Sequence, residues 1–396
     1  MKLYLVKTAG LLEPWRRPAE AMRLNGVSLL DRLTAQAREL GLVVQACDAG
    51  ELAGLTGEAL VCSAASYLSR GLLKAFVAAA RGSERSLQCH VQKRALLVFS
   101  STADEASVPL KLFYLRPGQR TDQCVPVTLE TPELLRVPSG LPPAILKKPD
   151  TFIPVNSLVG VEVDDWSAYL LAGSLANREF TLGSVEALKA FLPQKLLEFL
   201  TSRPSLAKRM NRIGRGCRIH PTAVLEGCVV EDGVEIGPYC YLRASWVGKN
   251  ATVRENSSVK LSSIGAGTFL TTANLFNALI GEDCMIFTQL LVNCVIGDRT
   301  FVGGATGFSD FDFFKDWATI DLGEGKRETF HKFLASAVGD DCSIGAGLIF
   351  KPGRMIPNRT TVINKNMIDE VPQREGQHLI SNQGRLHAIP EAFLKK

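Results

Sequence analysis

The 396-residue sequence predicts an α/β domain followed by a left-handed parallel β-helix of six-residue repeats. Strand-like and helix-like segments alternate through the first half, which implies a mostly parallel sheet. From Ile213 onward apolar residues recur every six positions, and the set restarts every 17 residues, at Val230, Val247 and Ile264. Glycine follows the apolar residue in Ile213-Gly214, Ile236-Gly237, Val247-Gly248, Ile264-Gly265, Ile280-Gly281 and Ile296-Gly297.

The chain opens on KLYLVKTAG as a strand, LLEPWRRPAEAMRLNG as a loop, and VSLLDRLTAQARELG as a helix. In that helix Leu29, Leu30, Leu33, Ala37 and Leu40 recur at helical spacing. LVVQACD and EALVCSAA are further buried strands, and SRGLLKAFVAAAR is a second helix. This domain is expected over residues 1–182, with a linker helix over 183–210.

The β-helix is expected over 211–368. Three short strands per coil, one residue short of three full hexads, make a triangular prism. Glycine after the apolar residue marks a turn that needs either a positive φ or no side chain. An antiparallel sandwich would alternate with period two and carry hairpin dipeptides, and this half does neither. The repeat breaks after Val302 and resumes at Val338, leaving an inserted loop at 303–337. Phe308, Phe311, Phe313, Phe314 and Trp317 crowd that loop, which suits ligand contact or packing on a neighbouring subunit or the other domain. Residues 369–396 read as a tail with a possible short strand.

Composition narrows the classes. Hydrophobic residues at 46% and charged residues at 21% describe a globular chain. The formal charge of +5 is spread rather than gathered, so nucleic acid is not indicated as a partner and a phosphorylated sugar fits as well. No run reaches the length of a membrane span and the first residues lack a signal-peptide core, so a cytoplasmic location is expected. Ten cysteines form no CxxC pair, and Cys217, Cys228, Cys240, Cys284, Cys294 and Cys342 fall in repeat positions, as reduced structural thiols would; no metal site is expected.

The opening TAG…RRPAEAMRLNGVSLLDRL resembles the first motif of sugar-phosphate nucleotidyltransferases, and VEVDDWSAYLLAGSLANREF resembles the closing segment of that Rossmann-like domain. The domain order resembles that of bifunctional N-acetylglucosamine-1-phosphate uridyltransferases and their relatives, whose second half is a hexapeptide-repeat acetyltransferase. The resemblance implies uridyl transfer with Mg²⁺ on aspartates, a glycine-rich loop and a cationic side chain on the triphosphate. Here only Gly10 remains of the loop glycines, and Ala19 or Glu20 stands where the family has a lysine. Ser63, Ala64 and Ala65 stand where its first metal aspartate lies, and only Asp164 or Asp165 is left as a ligand, so Mg²⁺ is not expected. Arg16 and Arg17 are the cations nearest a phosphate. The domain is shorter than in the family, and Gly82–Pro149 reads as a trimmed substrate lobe. Nucleotidyl transfer is expected to be lost.

The second half tells a similar story. The resemblance implies acetyl transfer from coenzyme A with a histidine base. That histidine's place falls on Thr271, followed by Thr272 and Ala273, and the alternative position used by lipid A acyltransferases holds Val292. His220 reads as part of a common first-coil motif, and His331 in ETFHKF, or a residue of the aromatic loop, is the candidate replacement base. Lys326, Arg327 and Lys332 are its phosphate-binding company, with Asn274, Phe311 and Trp317 as further contacts. Three readings follow: a non-catalytic or regulatory binder of a sugar phosphate or sugar nucleotide, alone or beside an active paralogue; an N- or O-acyltransferase using acetyl-CoA or another acyl-CoA with an unorthodox base; and a β-helix scaffold. The families it resembles commonly form homotrimers about the prism axis.

Overall fold

The computed structural model describes residues 1–54, 56–96, 106–129, 135–138, 152–155, 157–189, 210–312, 314–315, 317–322, 325–366, 379–383 and 385–389. The body of the expected linker helix, much of the trimmed lobe, Phe313 and most of the tail lie outside these residues.

Strand β1 (Lys2–Val6) leads through helix α1 (Leu29–Glu39) to β2 (Val43–Cys47) and β3 (Ala59–Ser63), which flank it in parallel. Ser28 caps α1, its Oγ accepting from the Asp31 amide at 3.0 Å, and the apolar stripe of the helix turns inward at Leu29, Leu33 and Ala37. Asn25 and Gly26, both at positive φ, make the two-residue turn of a hairpin just before it. Strand β4 (Ser66–Leu68) and helix α2 (Arg70–Arg81) follow, then β5 (Leu87–Gln92), β6 (Ser107–Leu115) and β7 (Val125–Thr128). The sheet order is β7-β5-β6-β3-β1-β2, with β6 antiparallel to both its neighbours. A last strand, β8 (Gly160–Glu162), pairs with β4 and leads into helix α3 (Trp166–Lys189).

The second half is a parallel β-helix whose three faces stack coil on coil. The first and second faces carry eight strands each and the third carries five. On the first face Ile213 lies opposite Val230, Val230 opposite Val247, and Val247 opposite Ile264, reproducing the 17-residue period. Ile264 then meets Ile280, a coil one residue shorter, and the shortening falls at the turn that contains Thr271. Val230, Ile236, Leu242 and their repeats fill the prism axis. After Val302 the chain keeps one more prism strand, Gly307–Phe308, paired with Ile349–Phe350, before it leaves. It returns at Ser336–Val338, beside Val295–Ile296.

The glycines after the apolar residues act by close approach. A Cβ on Gly281 would lie 2.6 Å from the Asp298 amide, and one on Gly265 would lie 2.2 Å from the Gly281 carbonyl oxygen. The positive φ of each turn is taken two residues further on, by Gly267, Asp283 and Arg299.

The α/β half lies on the first face of the prism. Leu279, Val295 and Ala337 point out of that face into the same core as Leu5, Leu72 and Trp166. Trp15 Nε1 donates to the Val338 carbonyl at 3.2 Å, and Asn177 Nδ2 to Ser263 Oγ at 3.1 Å. The excursion joins the same core through Ala318, Ile320 and Leu334.

Candidate functional site

The sheet reverses direction at β1. From β1 the chain proceeds to β2 on one side; from β3 it proceeds towards β6 and β5 on the other. Such a switch point opens a crevice beyond the carboxyl ends of the two strands. A cavity of about 150 Å³ lies there, lined by Thr8 and Gly10 after β1, Ser63 and Ala65 after β3, and Glu162 and Asp164 at the end of β8, with Lys111 of β6.

The groups in this cleft are already engaged. Glu20, which with Ala19 is read at the place of the resembled motif's lysine, is buried and accepts from the Thr8 hydroxyl. Glu162 accepts from Ser66 Oγ and the Lys111 amide, both at 2.8 Å, and burial pushes its carboxyl above the usual range. Asp165 caps α3: its Oδ1 accepts from the Ser167 amide at 2.6 Å, the Ser167 hydroxyl at 2.6 Å and the Ala168 amide at 2.9 Å. Its other oxygen contacts Arg327, and the same guanidinium reaches Asp164 at 3.2 and 3.3 Å. The two carboxylates left for a metal are therefore a helix cap and an arginine partner. This donor set does not fit Mg²⁺, whose octahedral shell needs free carboxylate oxygens.

Arg16 is exposed, at positive φ, and lies 3.9 Å from Glu13. Arg17 turns away from the cleft onto the β-helix, 2.9 Å from Asp298 and 2.5 Å from Asp340. Those two carboxylates also hold successive coils, Asp340 Oδ1 accepting from the Asp298 amide and Asp298 Oδ1 from the Glu282 amide. Arg17 thus ties the two halves together.

His331 is 1% exposed. Its Nε2 donates to the Ser167 carbonyl at 2.9 Å, and burial, with Arg178 nearby, holds its pKa down at about 4. The imidazole is a strut between excursion and α3. Lys332 donates to the Lys315 carbonyl and stacks over Phe311, which packs on Phe333. Lys326 lines a second cavity of about 110 Å³ between the excursion and the turn at Lys351–Arg354, with Asp310, Lys315 and Asp321. Trp317 is half-buried and Phe314 fully exposed. Asn274 is exposed on the third prism face.

At the place of the missing base, Thr271 Oγ1 donates to the Ile286 carbonyl at 3.0 Å and Thr272 Oγ1 to the Glu255 carbonyl at 3.1 Å. Both hydroxyls stitch coils. All ten cysteines are free, and most sit inside the fold, where burial raises their thiols, Cys284 to about 12.

The structure brings Asp164, Asp165 and Arg327 together, one set from each half of the chain. Lys111 and Glu162 escaped the sequence reading. SVPLKLFYL alternates like an ordinary half-exposed strand, and Lys111 gains meaning only when β6 lies beside the cleft.

No protein-family model matches the chain. It is 30% identical over 139 residues to the bifunctional protein GlmU of Stutzerimonas stutzeri, a match covering 35% of this chain and 26% of that relative. The GlmU proteins of Pseudomonas putida match at 29% over the same length. The chain therefore spans about a quarter of the curated relatives it matches. Among solved structures, a mutant perosamine N-acetyltransferase from Caulobacter crescentus in complex with CoA and GDP-perosamine aligns at 13% identity and TM-score 0.15, covering 38% of this chain and 50% of the other. An acetyltransferase structure from Desulfovibrio desulfuricans aligns at 16% and 0.22, covering 41% and 31%. The GlmU matches relate the chain to the nucleotidyltransferase and hexapeptide acyltransferase family. Among the described residues no helix is long and apolar enough to cross a membrane.

Proposed function

We propose that this protein is a non-catalytic, sugar-nucleotide-binding relative of the bifunctional nucleotidyl- and acetyltransferases, assembled as a homotrimer. The observation that carries this reading is the crevice at the carboxyl ends of β1 and β3. It lies at the switch point of the sheet and carries one cation, Lys111, while Asp164 and Asp165 are bound to Arg327. A lysine in such a crevice suits a diphosphate, whereas transfer of a nucleotidyl group also needs a metal that these carboxylates are not free to hold. Burial of His331 argues in the same direction for the acyltransferase half, since a base must reach its substrate.

Calorimetric titration with UDP-N-acetylglucosamine, GDP-perosamine and acetyl-CoA tests this. Binding of a nucleoside diphosphate sugar is expected, weakened tenfold or more by Lys111→Met, with no nucleotidyl or acetyl product formed. Turnover of nucleoside triphosphate and sugar phosphate, or binding of acetyl-CoA alone, would overturn it.

A further inference from the structure

The cavity of about 110 Å³ between the excursion and the last coils of the prism has two fixed walls. One is a hairpin of the excursion, Thr319–Asp321 against Lys326–Glu328, which Ile320 anchors in the shared core. The other is the turn at Lys351–Arg354. There Gly353 takes a φ of 71°, its amide donates to the Ala335 carbonyl at 2.6 Å, and a Cβ on it would lie 2.1 Å from the Thr319 carbonyl oxygen. Only glycine lets turn and hairpin approach this closely. Both walls bring charge to the space between them. Lys326 comes from the hairpin, Lys351 and Arg354 from the turn, and Lys315 from the segment before the hairpin. Two of these cations meet acids: Asp312 lies 3.8 Å from Lys315, and Asp321 stands opposite Lys326 across the hairpin. Lys351 and Arg354 are exposed, and among the described residues neither makes an ion pair. They face one further acid, Asp310, which accepts from Asn293 Nδ2 at 2.8 Å. Burial pushes that carboxyl above the usual range, which lowers the cost of protonating it beside an anion. The cavity is therefore positive, and it is far smaller than a nucleotide requires.

We infer that this cavity binds a phosphate group, at a site distinct from the cleft at the switch point, with Lys351 and Arg354 as its principal cations. A dianion matches the two cations that lack a partner, and the guanidinium of Arg354 offers a planar fork of donors to two phosphate oxygens. Lys326 and Lys315 complete the rim. The occupant is inorganic phosphate or the phosphate end of a small monoester whose remainder stays outside the cavity. The site lies back to back with the cleft across a single strand. Lys326 and Arg327 are neighbours in that strand, so their side chains leave opposite faces. Lys326 lines the phosphate cavity, and Arg327 holds Asp164 beside the cleft. The pairing of Lys326 with Arg327 in one basic run of the sequence thus serves two separate places in the fold.

Calorimetric titration of the full chain with sodium phosphate, and separately with glycerol 3-phosphate, tests the site, with ionic strength held constant by sodium chloride. Saturable binding of one phosphate per chain is expected, together with a melting temperature that rises with phosphate concentration. Lys351→Met and Arg354→Met should each weaken binding tenfold or more. Lys249→Met, which removes an exposed cation from an earlier coil, should leave it unchanged. Circular dichroism on each variant separates lost binding from lost structure. Tighter binding of phosphate would identify the free ion as the occupant and tighter binding of glycerol 3-phosphate the ester, and either supports the site. No saturable binding of either ligand, or binding that neither turn substitution moves, would overturn the inference. So would a loss in Lys249→Met equal to that in the turn variants. The same titration on Lys111→Met keeps the two sites apart: phosphate should still bind, and its loss there would place it in the cleft instead. A chain that takes up phosphate here but no sugar nucleotide would leave this site standing and remove the reading of the cleft.

Discussion

The bond from His331 Nε2 to the Ser167 carbonyl shows how burial settles what a residue type leaves open. An imidazole with an ordinary pKa of 6.5 is held near 4 here, chiefly by desolvation. As pH falls, the unfolded chain takes up the proton first, so this histidine's contribution is complete above about 6.5 and drains away between there and about 4. The gap corresponds to roughly 3 kcal/mol at 1.36 kcal/mol per pH unit. Urea unfolding at pH 7.0 and 4.5 should therefore show a steeper loss in the wild type than in His331→Leu; equal losses would place the acid sensitivity elsewhere. Glu20, Ala65 and Thr271 could be read in the sequence as departures from the resembled motifs because each faces a motif of fixed spacing. The sequence could not display that Arg17 turns to Asp298 and Asp340, or that Arg327 holds Asp164. Both pairings join residues more than 160 positions apart, and an arginine beside a motif looks the same whether phosphate or carboxylate is its partner.

At the scale of the element, the phase of the β-helix was readable because each coil is built on the one below it. Burial of Ile264 over Val247 forces a six-residue rhythm that no sandwich would keep. What the rhythm left open was the work of the glycines. Coil stacking at Gly265 and Gly281 brings the next backbone within 2.2 and 2.6 Å of where a Cβ would sit, so the constraint is contact rather than torsion. Gly281→Ala should cost about 3 kcal/mol through forced separation of two coils, at the upper end of overpacking penalties. A melting temperature lowered by roughly 4 °C would register it in a chain of 396 residues that unfolds as one unit. Gly50→Ala, where a Cβ meets nothing within 4 Å, should leave the melt unchanged. If both variants melt alike, steric stacking is not what these glycines supply. The excursion was harder to read, since its aromatics served three different ends: Phe308 stacks on Phe350, Phe311 packs on Phe333, and Phe314 faces solvent.

For the whole molecule, the two sequence patterns suggest two bodies joined by a linker, and the packing joins them more closely than that. The outer residues of the first prism face run Trp246, Ser263, Leu279, Val295 and Ala337, apolar but for Ser263, which Asn177 of α3 engages, a departure from the polar exterior of a free solenoid. Leu279 is 6% exposed, and a Cβ on Gly173 of α3 would come within 2.6 Å of its methyl groups, so helix and prism interlock at this point. A shared core of this kind makes the two halves unfold together, because opening the seam exposes apolar surface on both sides. Leu279→Ala removes the central contact and should cost about 2–5 kcal/mol. The cost falls on the seam rather than on either half alone. The variant should therefore split a single calorimetric transition into two, with the α/β half melting first. A single transition, lowered but undivided, would mean that Arg17, Trp15 and the excursion hold the halves together without Leu279. In that case the charge-paired seam at Asp298 and Asp340, rather than the apolar one, would be the principal joint.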